Sequence, residues 1–235
     1  MTPSESEWRR AIEEERAHKD EFMARHTESP FVAERVPFHP LNYFPVDPKY
    51  RVAARLERRT TPEEAFLRTN RDGSAVMRYL GDLVFTLEGK RHHLRVYHAG
   101  EGVGTSVFVP FRDATSGREC YGPGRYLVFT LTEDDHYDLD FNGAFNPYCA
   151  YTDAYECGFP PAENDLSVAI RAGERAWAEG PNPSSPSGAI LENTRKQLAA
   201  RARRPTPAPA PRSASRPAST RTTRAKAATR RRARP

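Results

Sequence analysis

The chain has 235 residues, of which 37% are hydrophobic and 29% charged, and its formal net charge is +5. The charge is uneven: residues 181–235 hold 14 of the 36 Lys and Arg but one of the 31 Asp and Glu, which gives +13 there and −8 in the remainder. The remainder therefore lacks the net positive field of a nucleic-acid-binding domain, and no stretch approaches the roughly 20 apolar residues of a membrane-spanning helix.

The first predicted element is an N-terminal helix within residues 1–28. Ser4 and Glu7 have the spacing of a capping box, in which each side chain satisfies a free backbone N–H at the start of a helix. The helix is expected to run to about Arg25 and to end before Ser29-Pro30. Its apolar stripe is thin and its middle turn is polar, which predicts a helix that packs on the outside of another unit.

Residues 29–178 are predicted to form one β-rich domain, with an extended proline- and aromatic-rich segment over residues 30–50. Short strand-like runs separated by Gly- and Asp-rich turns follow, a pattern typical of an antiparallel β-barrel or sandwich. We expect the fifth and sixth runs to pair as a hairpin across Glu133-Asp134-Asp135. The predicted strands are Tyr50–Leu56, Ala75–Leu87, His92–Ala99, Ser106–Phe111, Arg125–Thr132, Tyr137–Phe141 and Leu166–Ile170.

The last predicted segment, residues 179–235, is a disordered basic tail rich in Ala, Pro and Arg. It has no aromatic residue, so it cannot bury enough apolar surface to offset the entropy of ordering the chain. One short helix is expected around residues 189–203. Two interpretations of the charge are open: non-specific contact with nucleic-acid phosphates through residues 195–234, or a solvated extension without a partner.

The densest polar and aromatic region of the predicted domain contains five motifs. They are Phe111-Arg112-Asp113-Ala114-Thr115-Ser116-Gly117, Gly124-Arg125-Tyr126-Leu127, Asp140-Phe141-Asn142-Gly143-Ala144-Phe145-Asn146-Pro147-Tyr148-Cys149-Ala150-Tyr151, Cys157-Gly158-Phe159-Pro160-Pro161-Ala162-Glu163-Asn164-Asp165-Leu166 and Ala172-Gly173-Glu174. Over about residues 5–177 the chain resembles the family known as domain of unknown function 1684, and it departs from the family pattern at Gly158 and Cys120. The resemblance supports a boundary near residue 178 and implies no particular activity.

Three residues of this region are candidates for catalysis: Asp140, Glu163 and Cys149. Asp140 lies on the polar face of its predicted strand, and Glu163 could act as a general acid or base if it is buried. Cys149 could act as a nucleophile if a base lies within reach. Each also has a structural interpretation: a solvent-facing strand residue, a turn residue, and an inert thiol or a Cys149–Cys157 disulfide.

Polar side chains at predicted strand ends and turns, where binding sites tend to form, are the candidates for ligand binding. In the predicted hairpin Arg125 would lie near Asp140, either as a structural ion pair or as an anion clamp. The ligand-binding candidates are Arg125, Asn142, Asn146, Tyr148 and Asn164.

No metal site is predicted. The three cysteines form no CxxC pair. His92 and His98 share a strand face but lie roughly 20 Å apart along an extended strand. A zinc site built from Cys149, Cys157 and a distant histidine is the alternative.

The sequence thus predicts a cytoplasmic, uncharacterised protein whose β domain binds a small molecule and either acts on it as an enzyme or only holds it. The alternative is a non-catalytic interaction module whose basic tail contacts nucleic acid non-specifically. The cofactor is unknown: the chain has no nucleotide-binding fingerprint or phosphate loop, whereas flavin and haem sites need no local motif.

Overall fold

A computed structural model describes residues 4–98 and 106–177 of the chain. These residues form two α-helices, six antiparallel strands and four 3-10 turns, which confirms the predicted mostly β fold with an N-terminal helix. The helices are α1 (Glu5–Arg25) and α2 (Pro30–Ala33), and the 3-10 turns are Pro48–Tyr50, Phe141–Gly143, Tyr148–Ala150 and Ala162–Asn164. The strands are β1 (Arg51–Arg68), β2 (Ser74–Leu87), β3 (Lys90–His98), β4 (Ser106–Phe111), β5 (Arg125–Thr130) and β6 (His136–Asp140).

Helix α1 begins with the predicted capping box. Ser4 Oγ accepts a hydrogen bond from the Glu7 backbone N–H, and the Glu7 carboxylate accepts one from the Ser4 backbone N–H. Only Trp8 and Met23 of the helix are buried, and Trp8 Nε1 donates to Asp140 Oδ2 at 2.7 Å. The helix therefore lies along the outside of the β domain, held at both ends and polar in the middle.

The six strands form one curled antiparallel sheet, a half-barrel, in the order β5-β4-β3-β2-β1-β6. The predicted hairpin of the fifth and sixth runs is wrong, because β5 pairs with β4 and β6 pairs with β1. The sheet curls enough for the rings of Phe129 and Tyr137 to lie 4.9 Å apart. The short link between these strands thus joins two opposite edges of the sheet instead of closing a hairpin.

Strand β1 is longer than predicted, and the seventh predicted strand does not form. The segment 57–68 is largely polar, and its strand conformation depends on its ladder with β2, which a hydrophobic pattern does not reveal. Gly81 allows this ladder to cross a register shift, because a Cβ there would lie 2.3 Å from the Glu57 carbonyl oxygen. Leu166 and Ile170 are buried as their alternation suggests, but the chain makes only an Arg112–Asp165 bridge there.

Three apolar clusters stabilise the described residues, of which the smallest contains Leu67, Tyr79 and Tyr97 and the other two flank the candidate site. The larger lies on the inner face of the sheet and includes Leu83, Val96 and Phe111. The second lies among α1, α2 and the loops that follow β6, and it contains Met23 and Tyr151. The space between these clusters is polar and contains the candidate site.

No helix among residues 4–98 and 106–177 is long and apolar enough to cross a membrane. The predicted tail 179–235, its short helix at 189–203 and the basic residues proposed to contact nucleic acid lie outside the described residues.

Candidate functional site

A cavity of about 70 Å³ opens between α1 and the turn that follows β6. Four of its lining residues are three or four positions apart on α1, which places them on one face of the helix. The lining residues are Ile12, Glu15, Arg16, Lys19, Tyr43, Asn142, Gly143, Ala144, Phe145 and Glu174. The cavity is partly open to solvent, so a bound molecule could enter without unfolding of the helix.

The carboxylate of Glu174 is the most buried charge of the cavity, with a side chain 1% exposed. Its Oε1 accepts from Lys19 Nζ at 2.5 Å and from the Tyr43 hydroxyl at 3.5 Å. Its Oε2 accepts from the Tyr151 hydroxyl and from the Asn146 backbone N–H, both at 2.7 Å. Four donors from four separate segments therefore hold this carboxylate in place.

The two phenols beside Glu174 keep their protons. Burial raises the pKa of Tyr43 and of Tyr151 well above the ordinary value, and the negative charge of Glu174 raises both further. Both hydroxyls therefore act as donors to Glu174 at any physiological pH, and neither is available as a general base.

Arg16 forms the opposite wall of the cavity and is incompletely paired. Its Nη1 donates to the Phe44 carbonyl oxygen at 2.9 Å and its Nη2 to the Asn142 carbonyl oxygen at 3.2 Å. The guanidinium lies over the Tyr43 ring, 4.6 Å from its centroid. Burial lowers the pKa of Arg16, but an arginine remains charged in proteins. Its buried Nε has no hydrogen-bond partner among the described residues, which leaves one donor for a ligand or a water.

Lys19 supplies the second cation. Its ammonium lies 4.7 Å from the centroid of the Phe145 ring, and its side chain is 24% exposed. A lysine has three donors, and Glu174 accepts one of them. Gly143 leaves this part of the wall open, because a Cβ at that position would meet no atom within 4 Å.

Two of the predicted site residues, Asn142 and Asp140, lie at or beside the cavity. The Asn142 side chain is bound to the backbone of Asp47 through two hydrogen bonds of 2.9 Å, so its backbone carbonyl is the part that lines the cavity. Asp140 accepts from Trp8 Nε1 at 2.7 Å and from the Asn142 backbone N–H at 2.8 Å. These side chains anchor α1 and the cavity turn to each other.

Arg125 does not lie beside Asp140, and the pairing expected from the hairpin is wrong because β5 and β6 are not neighbours. Its side chain is 0% exposed, and its Nη2 donates to Asp113 Oδ2 at 2.8 Å. Its other bonds go to the backbone carbonyls of Ile170, Ala172 and Glu174. Arg125 is thus a buried cross-link that fixes the backbone of Glu174 from behind the cavity.

Of the remaining candidates, Asn146 contributes its backbone N–H to Glu174, whereas its side chain donates to the Arg175 carbonyl oxygen at 2.7 Å. Asn164 is buried and donates to the Pro110 carbonyl oxygen at 2.6 Å. Glu163 is exposed, which does not meet the condition for a buried acid or base, and it pairs with Arg95 at 2.9 Å. Neither Asn164 nor Glu163 therefore lines the cavity.

Tyr148 and Cys149 also lie away from the cavity lining. The ring of Tyr148 packs edge-on against Tyr155 at 5.1 Å. Cys149 is buried and its Sγ accepts a hydrogen bond from the Tyr121 hydroxyl at 3.7 Å. Within the part of the chain that the structure describes, no group of three or more His, Cys, Asp or Glu could hold a metal ion.

Sequence reasoning missed Arg16, Lys19 and Tyr43 as site residues. The signal was present in α1, whose middle turn places charged residues on the same face as the buried Trp8 and Met23. In this helix the charged residues that interrupt the apolar stripe, Arg16 and Lys19, line the cavity.

The chain resembles proteins of unknown function. The model of the family described as "Protein of unknown function (DUF1684)" matches residues 37–175, which include Tyr43, Asn142 and Glu174 but not α1. The solution NMR structure of an uncharacterized protein of Haloarcula marismortui is 37% identical, covers 72% of this chain and 95% of that chain, and has a TM-score of 0.58. No curated protein matches the chain.

Proposed function

The chain belongs to the DUF1684 family of unknown function, and we propose that its β domain binds a small anionic molecule in the cavity beneath α1. The observation that most strongly supports this proposal is the buried Nε of Arg16 in the cavity wall, which has no hydrogen-bond partner among the described residues. A buried donor without an acceptor costs about 1–3 kcal/mol, and a ligand with an acceptor atom would recover part of that cost.

The balance of donors and acceptors favours an anion over a cation. Glu174 already accepts four hydrogen bonds from the protein, and Glu15 is exposed at the rim, where solvent screens it. Arg16 and Lys19 retain free donors, as described above. The cavity therefore offers positive donors and few free acceptors, which suits a carboxylate or a phosphate.

The size and the walls of the cavity favour a small ligand. One buried water needs about 10–15 Å³ of cavity volume. The cavity volume of about 70 Å³ therefore holds a group of about five non-hydrogen atoms. Ile12 and the ring of Tyr43 add apolar contact beside the cations. We therefore expect a short organic acid or a phosphate monoester whose remaining atoms extend toward solvent. We assign no reaction to the site, because the Tyr43 hydroxyl donates its proton in a hydrogen bond to Glu174 and neither group is free to act on a ligand.

The proposal is tested with the full chain and three probes: acetate, succinate and inorganic phosphate. Affinity is measured by isothermal titration calorimetry, and stabilisation by thermal unfolding with increasing probe concentration. A probe at 100 times its Kd should stabilise the fold by about 2.7 kcal/mol.

Matched variants locate the binding. Gly143→Leu should fill the open wall and weaken binding by about tenfold or more, whereas Gly143→Ala should retain most of the affinity. Arg16→Gln should also weaken binding, whereas Arg10→Gln, which removes the same charge from a residue 72% exposed on α1, should not. Equal binding by Gly143→Leu and the unsubstituted chain would show that the anion lies elsewhere, and no binding of any probe would overturn the proposal.

A further inference from the structure

The structure brings Cys149 and Cys157 into contact on a side of the domain that the cavity does not use. The side chains of the two residues hydrogen-bond to each other, and both are free thiols. Cys157 is held by Asn70, which accepts from the Cys157 backbone N–H at 2.7 Å and donates its own backbone N–H to the Cys157 carbonyl at 3.3 Å. Asn70 therefore fixes the backbone of Cys157, and the Tyr121 hydroxyl contacts the Cys149 sulfur at 3.7 Å.

The two thiols differ in exposure and in their hydrogen bonds. Cys149 is buried, whereas Cys157 is partly exposed. The Cys157 sulfur receives a hydrogen bond from the Cys149 thiol and faces the backbone N–H groups of Tyr148 and Cys149, whereas the Tyr126 hydroxyl donates to the Gly158 carbonyl oxygen at 2.7 Å. Donors that point at a sulfur stabilise its thiolate. They lower the pKa of Cys157 to about 7, with the Cys149 hydrogen bond as the largest cause, whereas the pKa of Cys149 is raised by the same bond and by burial.

We propose that Cys157 and Cys149 form a redox-active dithiol that reacts with hydroperoxides, with Cys157 as the nucleophile and Cys149 as the resolving thiol. An accessible thiolate beside a second thiol is the arrangement that such chemistry requires. The proposal is independent of the anion site, because neither cysteine lines the cavity.

The chemistry is a two-electron oxidation in two steps. The Cys157 thiolate attacks one oxygen of a hydroperoxide, the O–O bond breaks, and an alcohol (water, for hydrogen peroxide) leaves after protonation, which gives a sulfenic acid on Cys157. The Cys149 sulfur then attacks the Cys157 sulfur, an S–S bond forms, and the S–O bond breaks. The departing hydroxide takes the Cys149 proton and leaves as water. One hydroperoxide is reduced for each disulfide formed.

Cys120 provides an internal control in the same chain. It is 0% exposed, its Sγ lies 3.0 Å from the Thr115 hydroxyl oxygen, and burial raises its pKa to about 11. A buried thiol of this kind is inert toward peroxide and alkylating agents. A comparison of Cys157 with Cys120 therefore needs no substituted protein.

The experiment treats the full chain with hydrogen peroxide, blocks the remaining thiols with iodoacetamide and maps the peptides by mass spectrometry. We expect a loss of two hydrogen atoms, located to a Cys149–Cys157 disulfide and reversed by dithiothreitol. In the untreated chain, alkylation of Cys157 should be at least about tenfold faster than that of Cys120. Cys149→Ser should accumulate a dimedone-reactive sulfenic acid on Cys157, and Cys157→Ser should form no product at Cys149.

Two results would overturn the proposal. One is equal alkylation rates for Cys157 and Cys120 in the folded, unsubstituted chain, which would show that Cys157 is not an accessible thiolate. The other is peroxide oxidation of Cys157 to sulfinic acid with no disulfide to Cys149, which would show that Cys149 does not resolve the intermediate.

Discussion

Replacing Arg125 with methionine separates a structural role of this residue from the ligand-binding role that its sequence position suggested. The substitution keeps the length and apolar stem of the side chain but removes the guanidinium. The Asp113 carboxylate, whose side chain is 0% exposed, would then lose its cationic partner. Three backbone carbonyls would lose a donor as well.

The magnitude follows from burial. Removing one member of a buried ion pair costs about 3–5 kcal/mol, because the remaining charge is left without compensation. A domain of this size is stable by about 5–15 kcal/mol, so Arg125→Met should remove a large part of the total. Asp113 also accepts from the backbone N–H and the hydroxyl of Thr115, at 2.7 and 2.6 Å, and these bonds should survive in Asp113→Asn.

The assay is urea unfolding of the full chain, followed by circular dichroism, for both single variants and the double variant. We expect Arg125→Met to lower the free energy of unfolding by about 3–5 kcal/mol. The double variant Arg125→Met/Asp113→Asn should cost less than the sum of the singles, by about 1–3 kcal/mol, because it leaves no unpaired charge. If Arg125→Met left stability within about 1 kcal/mol and abolished anion binding, the structural role assigned to Arg125 would be refuted.

Three further substitutions or measurements test the remaining contacts. Trp8→Phe removes the indole N–H that donates to Asp140 and should lower the free energy of unfolding in urea by about 1–3 kcal/mol; an unchanged value would mean that this bond does not hold α1 in place. Glu174→Gln should cost about 2–4 kcal/mol in the same assay, because Lys19 loses its buried counter-ion; a loss below about 1 kcal/mol would contradict the geometry. The alkylation rate of Cys157 should rise as pH increases through about 7, since the thiolate reacts, and a midpoint near the ordinary thiol pKa would argue against the hydrogen bonds described.

Local signals in the sequence predicted the parts of the fold that depend on neighbouring residues. Ser4 and Glu7 form their capping box within one helical turn, so their spacing alone was sufficient. The pairing of β5 and β6 depended on a choice between distant partners, and a short polar turn did not reveal that β6 pairs with residues 51–55 of β1. Likewise, strand 57–68 exists because β2 supplies its ladder.

The same limit explains how the site was predicted. Asn142 was identified because it follows a strand, where polar residues often serve a site. Arg16 and Tyr43 were not, because each reaches the cavity only after α1 docks on the β domain through Trp8 and Asp140. Arg125 was misplaced next to Asp140 for the same reason as the hairpin: its true partner, Asp113, lies on the β4 side of the sheet.

The charges on the inner face of α1 are the strongest reason to regard the cavity as more than a packing defect. Apolar residues at positions 16 and 19 would continue the stripe between Trp8 and Met23, and replacing buried ion pairs with apolar groups is often neutral or stabilising. Arg16 is instead partly desolvated with one donor unsatisfied, and Lys19 is used to neutralise the buried Glu174. The pairing with Glu174 explains Lys19 by stability, whereas the unsatisfied donor of Arg16 adds nothing to stability and would be used by a bound anion.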